Sequence, residues 1–335
     1  MRKLMVLGLI LTGFIYALPL LSQYLDTPQN LLHDVLAVQG RTAAETPAGT
    51  AAGEQRVTVL AEGSPREMNL EDYVAGVVAA EISPTFPPEA LKAQAVAART
   101  YALYKMQAGR PEQHENADVC DDYRHCAAYI DLKTAASGRW GDQAEAYENA
   151  ITEAVKATAG EVVQYEGKPI IAVFSAASSA RTETSADVWG SDVPYLQTVE
   201  SPGGEACPKY QGEVKFTLQE FREKIEKALP AADLSGAPGT WFKASERSAA
   251  GGIKVVRLGG IKVRGVDLRE TLGLNSTNFT VKIGEDTITF QTTGYGHGVG
   301  LSQYGAKHLA ESGKTYKEIL AHYYTGTALG TIGEG

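Results

Sequence analysis

The chain has 335 residues, enough for one large domain or two of ordinary size with an ample core. Apolar residues make up 44% and charged residues 21%, as in ordinary globular proteins. A formal net charge of -9 argues against a nucleic-acid backbone as partner and leaves an uncharged or weakly charged polymer open.

Arg2 and Lys3 precede the uncharged 18-residue run "LMVLGLILTGFIYALPLL", Leu4 to Leu21, which is near the minimum for a membrane span. A cleaved signal peptide is the competing reading, but no small-x-small cleavage site follows Leu21 directly; "SQYLDT" stands there instead. The expectation is a single-pass anchor: residues 1–3 cytoplasmic, 4–21 in the membrane and the bulk of the chain outside, as the basic pair directs. Residues 22–55 read as a flexible stalk. Their "GRTAAETPAGTAAGEQ" is rich in Ala, Gly and Thr and lacks a helical or strand period. Folded sequence is expected over 56–330.

"NLEDYVAGVVAAEIS" predicts a helix, with Asn69 as N-cap and Asp72 three residues on, close to a capping box. Pro84, Pro87 and Pro88 break it, and Pro88 can begin the next helix, Glu89 to about Gln107. That helix is rich in Ala, and small side chains let a helix approach its neighbours closely. "DQAEAYENAITEAVKATAG" predicts a third helix ending at Gly160. Hairpins follow, turning at Glu166–Gly167, at Gly259–Gly260 and near Gly284 to Asp286. Ser302 to Tyr324 reads as helical. The class is α+β: one compact domain with an inserted or appended hairpin-rich region at about 210–290.

On the first helix Val74, Val77, Val78 and Glu81 fall at i, i+3, i+4 and i+7, so Glu81 lies on the apolar stripe. Burial would raise its pKa, as a general acid near neutral pH requires. The alternatives are a frayed last turn or an ion pair with an Arg. Arg99 on the following helix is placed to face the same cleft, to hold substrate or to pair with an acid. Glu89 is the rival carboxylate, but the helix macrodipole explains it at a first turn.

These residues resemble a known family. "VVAAEISPTFPPEALKAQAVAARTYAL", "FSAASSARTETSADVWGSDVPYLQTVESP" and "GYGHGVGLSQYGAKHLAESGKTYKEILAHYYTGT" occur in the order found in the stage II sporulation protein D family. Together they span most of 57–327. The resemblance implies a membrane-anchored lytic transglycosylase that cuts peptidoglycan glycan strands, preferably stripped of stem peptides, during engulfment in sporulation. It implies an amidase partner, stage II sporulation protein P, a membrane scaffold protein, and a mother-cell membrane location facing the septal wall. The family's catalytic acid falls at Glu81. The chemistry agrees, because an ordinary glycosidase needs two carboxylates. A transglycosylase manages with one, since the 6-hydroxyl of N-acetylmuramic acid is the nucleophile and leaves a 1,6-anhydro end.

In "SAASSARTE", Ser178, Ser179, Arg181 and Thr182 could line a sugar groove. The family usually has paired glycines where Ser179–Ala180 stands, and this departure leaves the loop geometry open, since Cβ atoms restrict positive φ. The family often has Lys at Arg181, and Arg keeps the charge without the geometry. "GYGHGVGLSQYGA" lacks the third glycine of a dinucleotide fingerprint in every frame and carries no phosphate-loop Lys. Either its small residues admit the glycan to His297, Gln303 and Tyr304, or it is a tight, buried strand-to-helix turn.

"HENADVCDDYRHC" supplies His114, Cys120, His125 and Cys126, an N2S2 set suited to tetrahedral zinc. A Cys120–Cys126 disulfide is the alternative outside the cytoplasm, with Cys207 left over. Some members resembling this sequence carry such a zinc loop. Four protein ligands would make the site structural and brace a wall of the cleft near Glu81. The rival functions are an amidase-enhancer type wall protein, a zinc hydrolase with an open coordination position, and a non-catalytic glycan-binding module.

Overall fold

The computed structural model describes residues 55–332. The expected anchor and nearly all of the stalk lie outside the described residues, and no helix among these is long and apolar enough to cross a membrane. The chain opens with β1 (Arg56–Ala61) and β2 (Ser64–Asn69), a hairpin turned at Glu62 and Gly63, both with positive φ. The helix α1 (Leu70–Glu81) starts as anticipated, with Asn69 Oδ1 accepting the Glu71 amide at 2.8 Å. Ile82 at its C-cap is extended, and the proline loop carries the chain into α2 (Pro88–Ala108).

Helix α2 is the axis of the larger core. Its residues 93–105 are almost wholly buried, with alanines at Ala93, Ala95, Ala97, Ala98 and Ala102. Bare Cβ atoms there let α1 and α4 (Ala144–Ala157) pack closely on α2, with α3 (Leu132–Arg139) set against α1 and α4, while β3 (Val119–Cys120) pairs parallel to β1. Next come β4 (Glu161–Tyr165) and β5 (Lys168–Pro169), turned at Glu166–Gly167 with both φ positive, as a two-residue type I′ turn demands.

The second strand of that hairpin is shorter than expected. The chain leaves it at Ile170, passes buried to β6 (Phe174–Ser175), and reaches α5 (Ser185–Trp189). Residues 211–293 then fold around a second core containing Phe221, Trp241, Leu258, Leu268 and Phe290. Its elements are β7 (Gln211–Thr217), α6 (Leu218–Ala228), β8 (Phe242–Arg247), β9 (Ile253–Leu258), β10 (Ile261–Arg264), α7 (Gly265–Leu272), β11 (Phe279–Ile283) and β12 (Thr287–Thr293). They form two antiparallel sheets, β11-β12-β7 and β10-β9-β8. The β9–β10 turn is Gly259–Gly260 as read from the sequence.

The chain then returns to the first core. The strand β13 (Leu301–Ser302) pairs parallel to β6. The helical segment expected from Ser302 to Tyr324 is two helices, α8 (Gln303–Glu311) and α9 (Tyr316–Tyr323). Gly313 at φ 88 breaks it, and Thr315 with Glu318 forms a full capping box for α9. A last strand, β14 (Ala328–Thr331), closes onto β4. The expected mixed class holds, with several small sheets in place of one large one.

Candidate active site

Glu81 is the last residue of α1. Its helical neighbours Val74, Val77 and Val78 point into the core, and the carboxyl itself is half-buried. Two donors hold it: Ala128 N gives a hydrogen bond to Oε1 at 2.9 Å, and Gln303 Nε2 gives one to Oε2 at 3.1 Å. Burial raises the Glu81 pKa above the usual 4.5, and these two bonds, which favour the carboxylate, offset only part of that. The group can hold a proton at higher pH than an exposed Glu, release it, and then accept one in a geometry already prepared for the anion.

The two donors come from distant places. Ala128 lies two residues past Cys126, and Gln303 opens α8 directly after the glycine turn. That turn needs its glycines: Gly294, Gly296, Gly298 and Gly300 all have φ between 69° and 114°. A Cβ on Gly296 would also lie 2.7 Å from that of Ser175. Beyond Glu81, Phe86 of the proline loop meets Tyr304 edge-on at 5.2 Å between ring centres, so the half-buried Tyr304 stands beside the acid's own loop.

The other residues singled out from the sequence divide. Arg99 does not face the Glu81 cleft; this expectation is corrected. Its side chain is 0% exposed and grips Glu71, Nε to Oε1 at 2.8 Å and Nη2 to Oε2 at 2.5 Å, with Nη1 on the Glu161 carbonyl at 3.1 Å. It ties α2 to α1 and to the end of α4. Glu89 is likewise occupied, bonded to Lys92 at 2.7 Å and to Tyr316 N at 2.7 Å, where it helps to start α9.

Ser178 and Thr182 are buried and do not line a groove. The Ser178 hydroxyl donates to Gly298 O, and Thr182 Oγ1 donates to Gln197 O at 3.0 Å. His297 spends both ring nitrogens on backbone: Nε2 bonds Phe174 O at 2.9 Å and Nδ1 accepts Val299 N at 3.1 Å. Burial, with the Arg269 charge, lowers its pKa to about 4, so it is neutral, and its ring leans on Trp189. It builds the turn and has no nitrogen left for substrate. Arg181 is exposed at a small cavity that it lines with Ser179, Glu183, Thr277 and Asn278. Ser179 and Ala180 keep negative φ, so the missing glycine pair imposes no strain.

His114, Cys120, His125 and Cys126 do come together, with donor atoms all within 4.8 Å of one another. His114 Nε2 lies 3.1 Å from His125 Nδ1, Cys120 Sγ 3.5 Å from His125 Nδ1, and Cys126 Sγ 3.3 and 3.5 Å from the two imidazoles. A tetrahedral zinc with ordinary bond lengths sets such edges at ~3.3–3.8 Å. His114 Nδ1 is bonded to Ala117 O at 2.8 Å, which leaves Nε2 with a lone pair for a metal. Hydrogen bonding from Cys126, then from His114 and His125, pulls the Cys120 thiol pKa down and so supplies thiolate. The donor set fits a metal, and all three cysteines, Cys207 included, are free thiols.

Sequence reasoning missed three groups. Ala128 acts through its amide, which carries no side-chain signal. The Tyr73 hydroxyl is buried without a partner among Cys126, Cys120 and Glu81; burial first, then their charges, raise its pKa. Glu183 is a second buried carboxyl, accepting Gly252 N at 3.1 Å and so joining the glycine turn to the second core. Its place one residue beyond Thr182 in a quoted motif was the only available hint.

A family model for stage II sporulation protein matches residues 62–165, the stretch that carries Glu81 and all four His and Cys residues. Stage II sporulation protein D of Bacillus subtilis is 39% identical over 269 residues, covering 80% of this chain and 76% of that protein. The protein of the same description from Bacillus amyloliquefaciens is 39% identical over 263 residues, 78% of this chain and 74% of that one. The amidase enhancer of Bacillus subtilis is 28% identical over 305 residues, 76% of this chain and 40% of that one. On identity and coverage together, the chain belongs to the stage II sporulation protein D family.

Proposed function

We propose that the protein is a peptidoglycan lytic transglycosylase in which Glu81 is the single acid and base. The observation that carries this is the half-buried Glu81 carboxyl, raised in pKa by burial yet held by two donors, Ala128 N and Gln303 Nε2. Protonated Glu81 gives its proton to the glycosidic oxygen as the bond from C1 of N-acetylmuramic acid breaks and N-acetylglucosamine leaves. The carboxylate left behind takes the proton of the muramic acid 6-hydroxyl as that oxygen bonds to C1. The products are a 1,6-anhydro end and a Glu81 returned to its starting state, with no water consumed. A second carboxylate is unnecessary because the nucleophile belongs to the substrate.

Tyr304, backed edge-on by the buried Phe86, offers an aromatic face beside the acid, and Gln303 orients the carboxyl. A zinc ion held by His114, Cys120, His125 and Cys126 would have no open position, so its chemistry is that of a structural cross-link bracing the Ala128 segment. The chain acts in sporulation during engulfment, as a single-pass protein of the mother-cell membrane with this domain facing the wall. Its substrate is glycan stripped of stem peptides, supplied by a stage II sporulation protein P amidase working with it on a membrane scaffold. The likeness to an amidase enhancer favours a second reading, a wall-binding protein without catalysis of its own. Incubation with stripped glycan strands separates them: 1,6-anhydro ends from the wild type and none from Glu81→Gln support catalysis. Equal product from both, or none from the wild type, overturns it.

A further inference from the structure

Cys120 and Cys126 carry chemistry that a structural cross-link leaves unused. The four donor atoms of the His and Cys cluster lie within 4.8 Å of one another, so the two sulfurs are no farther apart than that. Both are free thiols. As ligands of one tetrahedral zinc they would sit at ~3.8 Å, and in a disulfide at about 2.05 Å. The pair is therefore close enough to be joined by the movement of one side chain and its loop.

The two sulfurs are not held alike. Cys120 is buried in β3, where β1 fixes it: Leu60 pairs with it, and Asp121 N donates to Leu60 O at 3.1 Å. Cys126 is half-buried and ends a surface turn, its amide on Asp122 O at 2.8 Å. Tyr123 and Arg124 of that turn are exposed, Tyr123 at 74%. A reagent can reach Cys126 from this side, and Cys126 is the sulfur free to move. Ala128 follows two residues later, its amide on Glu81 Oε1 at 2.9 Å. The next anchor of the segment is Ile130 N on Gly76 O at 3.3 Å. Joining the sulfurs shifts Cys126 by ~1.7 Å, the difference between the two separations. If even half of that reaches Ala128 along the short segment, its hydrogen bond to Glu81 is lost.

We propose that Cys120 and Cys126 form a thiol–disulfide switch on the acid: a low-molecular-weight disulfide oxidises the pair, the metal-ligand set is lost, and the Ala128 amide leaves Glu81. The Cys126 thiolate attacks one sulfur of the reagent, forming a mixed disulfide and releasing one thiolate. The Cys120 thiolate then attacks Cys126 Sγ, forming the Cys120–Cys126 bond and releasing the second thiolate. Two electrons pass from the protein sulfurs to the reagent, and no proton need move. Disulfide sulfurs are not thiolates, so only His114 and His125 remain as ligands and the tetrahedral set is gone. A reducing thiol reverses both steps. Cys207 lies outside the cluster and takes no part. The switch rests on the reading of these four side chains as a metal centre, and its effect on cleavage rests on the reading of Glu81 as the acid.

The test uses the full chain loaded with zinc and treated with oxidised glutathione. Released zinc is read with a chromogenic chelator, the Cys120–Cys126 link by peptide mass spectrometry after alkylation, and the Ala128 segment by amide hydrogen exchange. About one zinc per chain should be released as the link forms. Exchange within residues 126–130 should rise at least about tenfold, as the loss of one hydrogen bond allows. Release of 1,6-anhydro ends from stripped strands should fall at least about tenfold. Dithiothreitol with added zinc should restore all of these, and Cys207→Ser should respond as the wild type does. Zinc retained under oxidised glutathione, or a mixed disulfide at Cys126 without the internal link, overturns the proposal. A link that forms with exchange over 126–130 unchanged overturns it likewise. A chain that takes up no zinc fails at the metal reading, and the switch falls with it. If the zinc-loaded chain cuts no glycan, the catalytic reading has failed by itself, because zinc release, the link and the exchange still decide the switch.

Discussion

Replacing Gln303 with Met removes the Nε2 donor from Glu81 Oε2, now at 3.1 Å, while keeping the length of a buried side chain. That bond favours the carboxylate, so its loss raises the Glu81 pKa further. A hydrogen bond to an ionised group contributes about 1.5–3 kcal/mol. The carboxyl is half-buried and keeps Ala128 N, so solvent and the remaining donor recover part of this, leaving roughly 0.7–1.4 kcal/mol, or about half to one pH unit. The assay is the pH dependence of kcat/KM for release of 1,6-anhydro ends from stripped strands. Since the protonated acid starts the reaction, the rate falls as pH rises through the Glu81 pKa. In Gln303→Met this alkaline limb should move to higher pH by about half to one unit, with a lower plateau because the orientation is looser. An unmoved limb, or one moved to lower pH, refutes the claim that Gln303 tunes Glu81.

Arg99→Leu strands Glu71 in a largely buried position and should cost about 3–5 kcal/mol of stability, read by urea unfolding. Cleavage per folded molecule at low temperature should change less than twofold, whereas a substrate-binding arginine would lose activity without losing stability. Between pH 4.5 and the raised native pKa of Glu81, the folded chain binds more protons than the unfolded one. Stability should therefore fall as pH rises across that window, and Glu81→Gln should flatten the slope in thermal melts. The purified domain should carry about one zinc per chain by elemental analysis, and Cys126→Ser should lose it along with most of the cleavage activity. Gly76→Ala places a Cβ 2.6 Å from the Ile130 carbonyl and against the Tyr129 ring, so it should push the 126–130 segment outward. Activity should drop at least about tenfold, more than the loss of helical stability, through the displaced Ala128 amide.

The parts of this site that could be read from the sequence are those whose signal is local. The spacing of Val74, Val77, Val78 and Glu81 predicts the face on which the acid sits. Glu166–Gly167 and Gly259–Gly260 mark turns that need positive φ at both positions. The donor types of His114, Cys120, His125 and Cys126, within thirteen residues, point to one cluster. What stayed hidden depends on pairing across the chain. Gln303 meets Glu81 across 222 residues, and Arg99 chooses Glu71 because α1 and α2 meet where Glu71, not Glu81, lies alongside. The two-residue strands β6 and β13 are too short to show a period, yet their pairing brings the glycine turn to the acid. The Ala128 amide belongs to a residue with no functional side chain. His297, conspicuous among glycines, is used up by its own turn.

In the proposed reaction the substrate's own hydroxyl, not water, completes what Glu81 begins. Cleavage of stripped strands in water enriched with oxygen-18 tests it most directly, by mass spectrometry of the new muramic acid ends. The new ends should be lighter than a hydrolysis product by one water, carry no heavy oxygen, and be absent with Glu81→Gln. Reducing ends that carry one heavy oxygen would contradict it and make the protein a hydrolase.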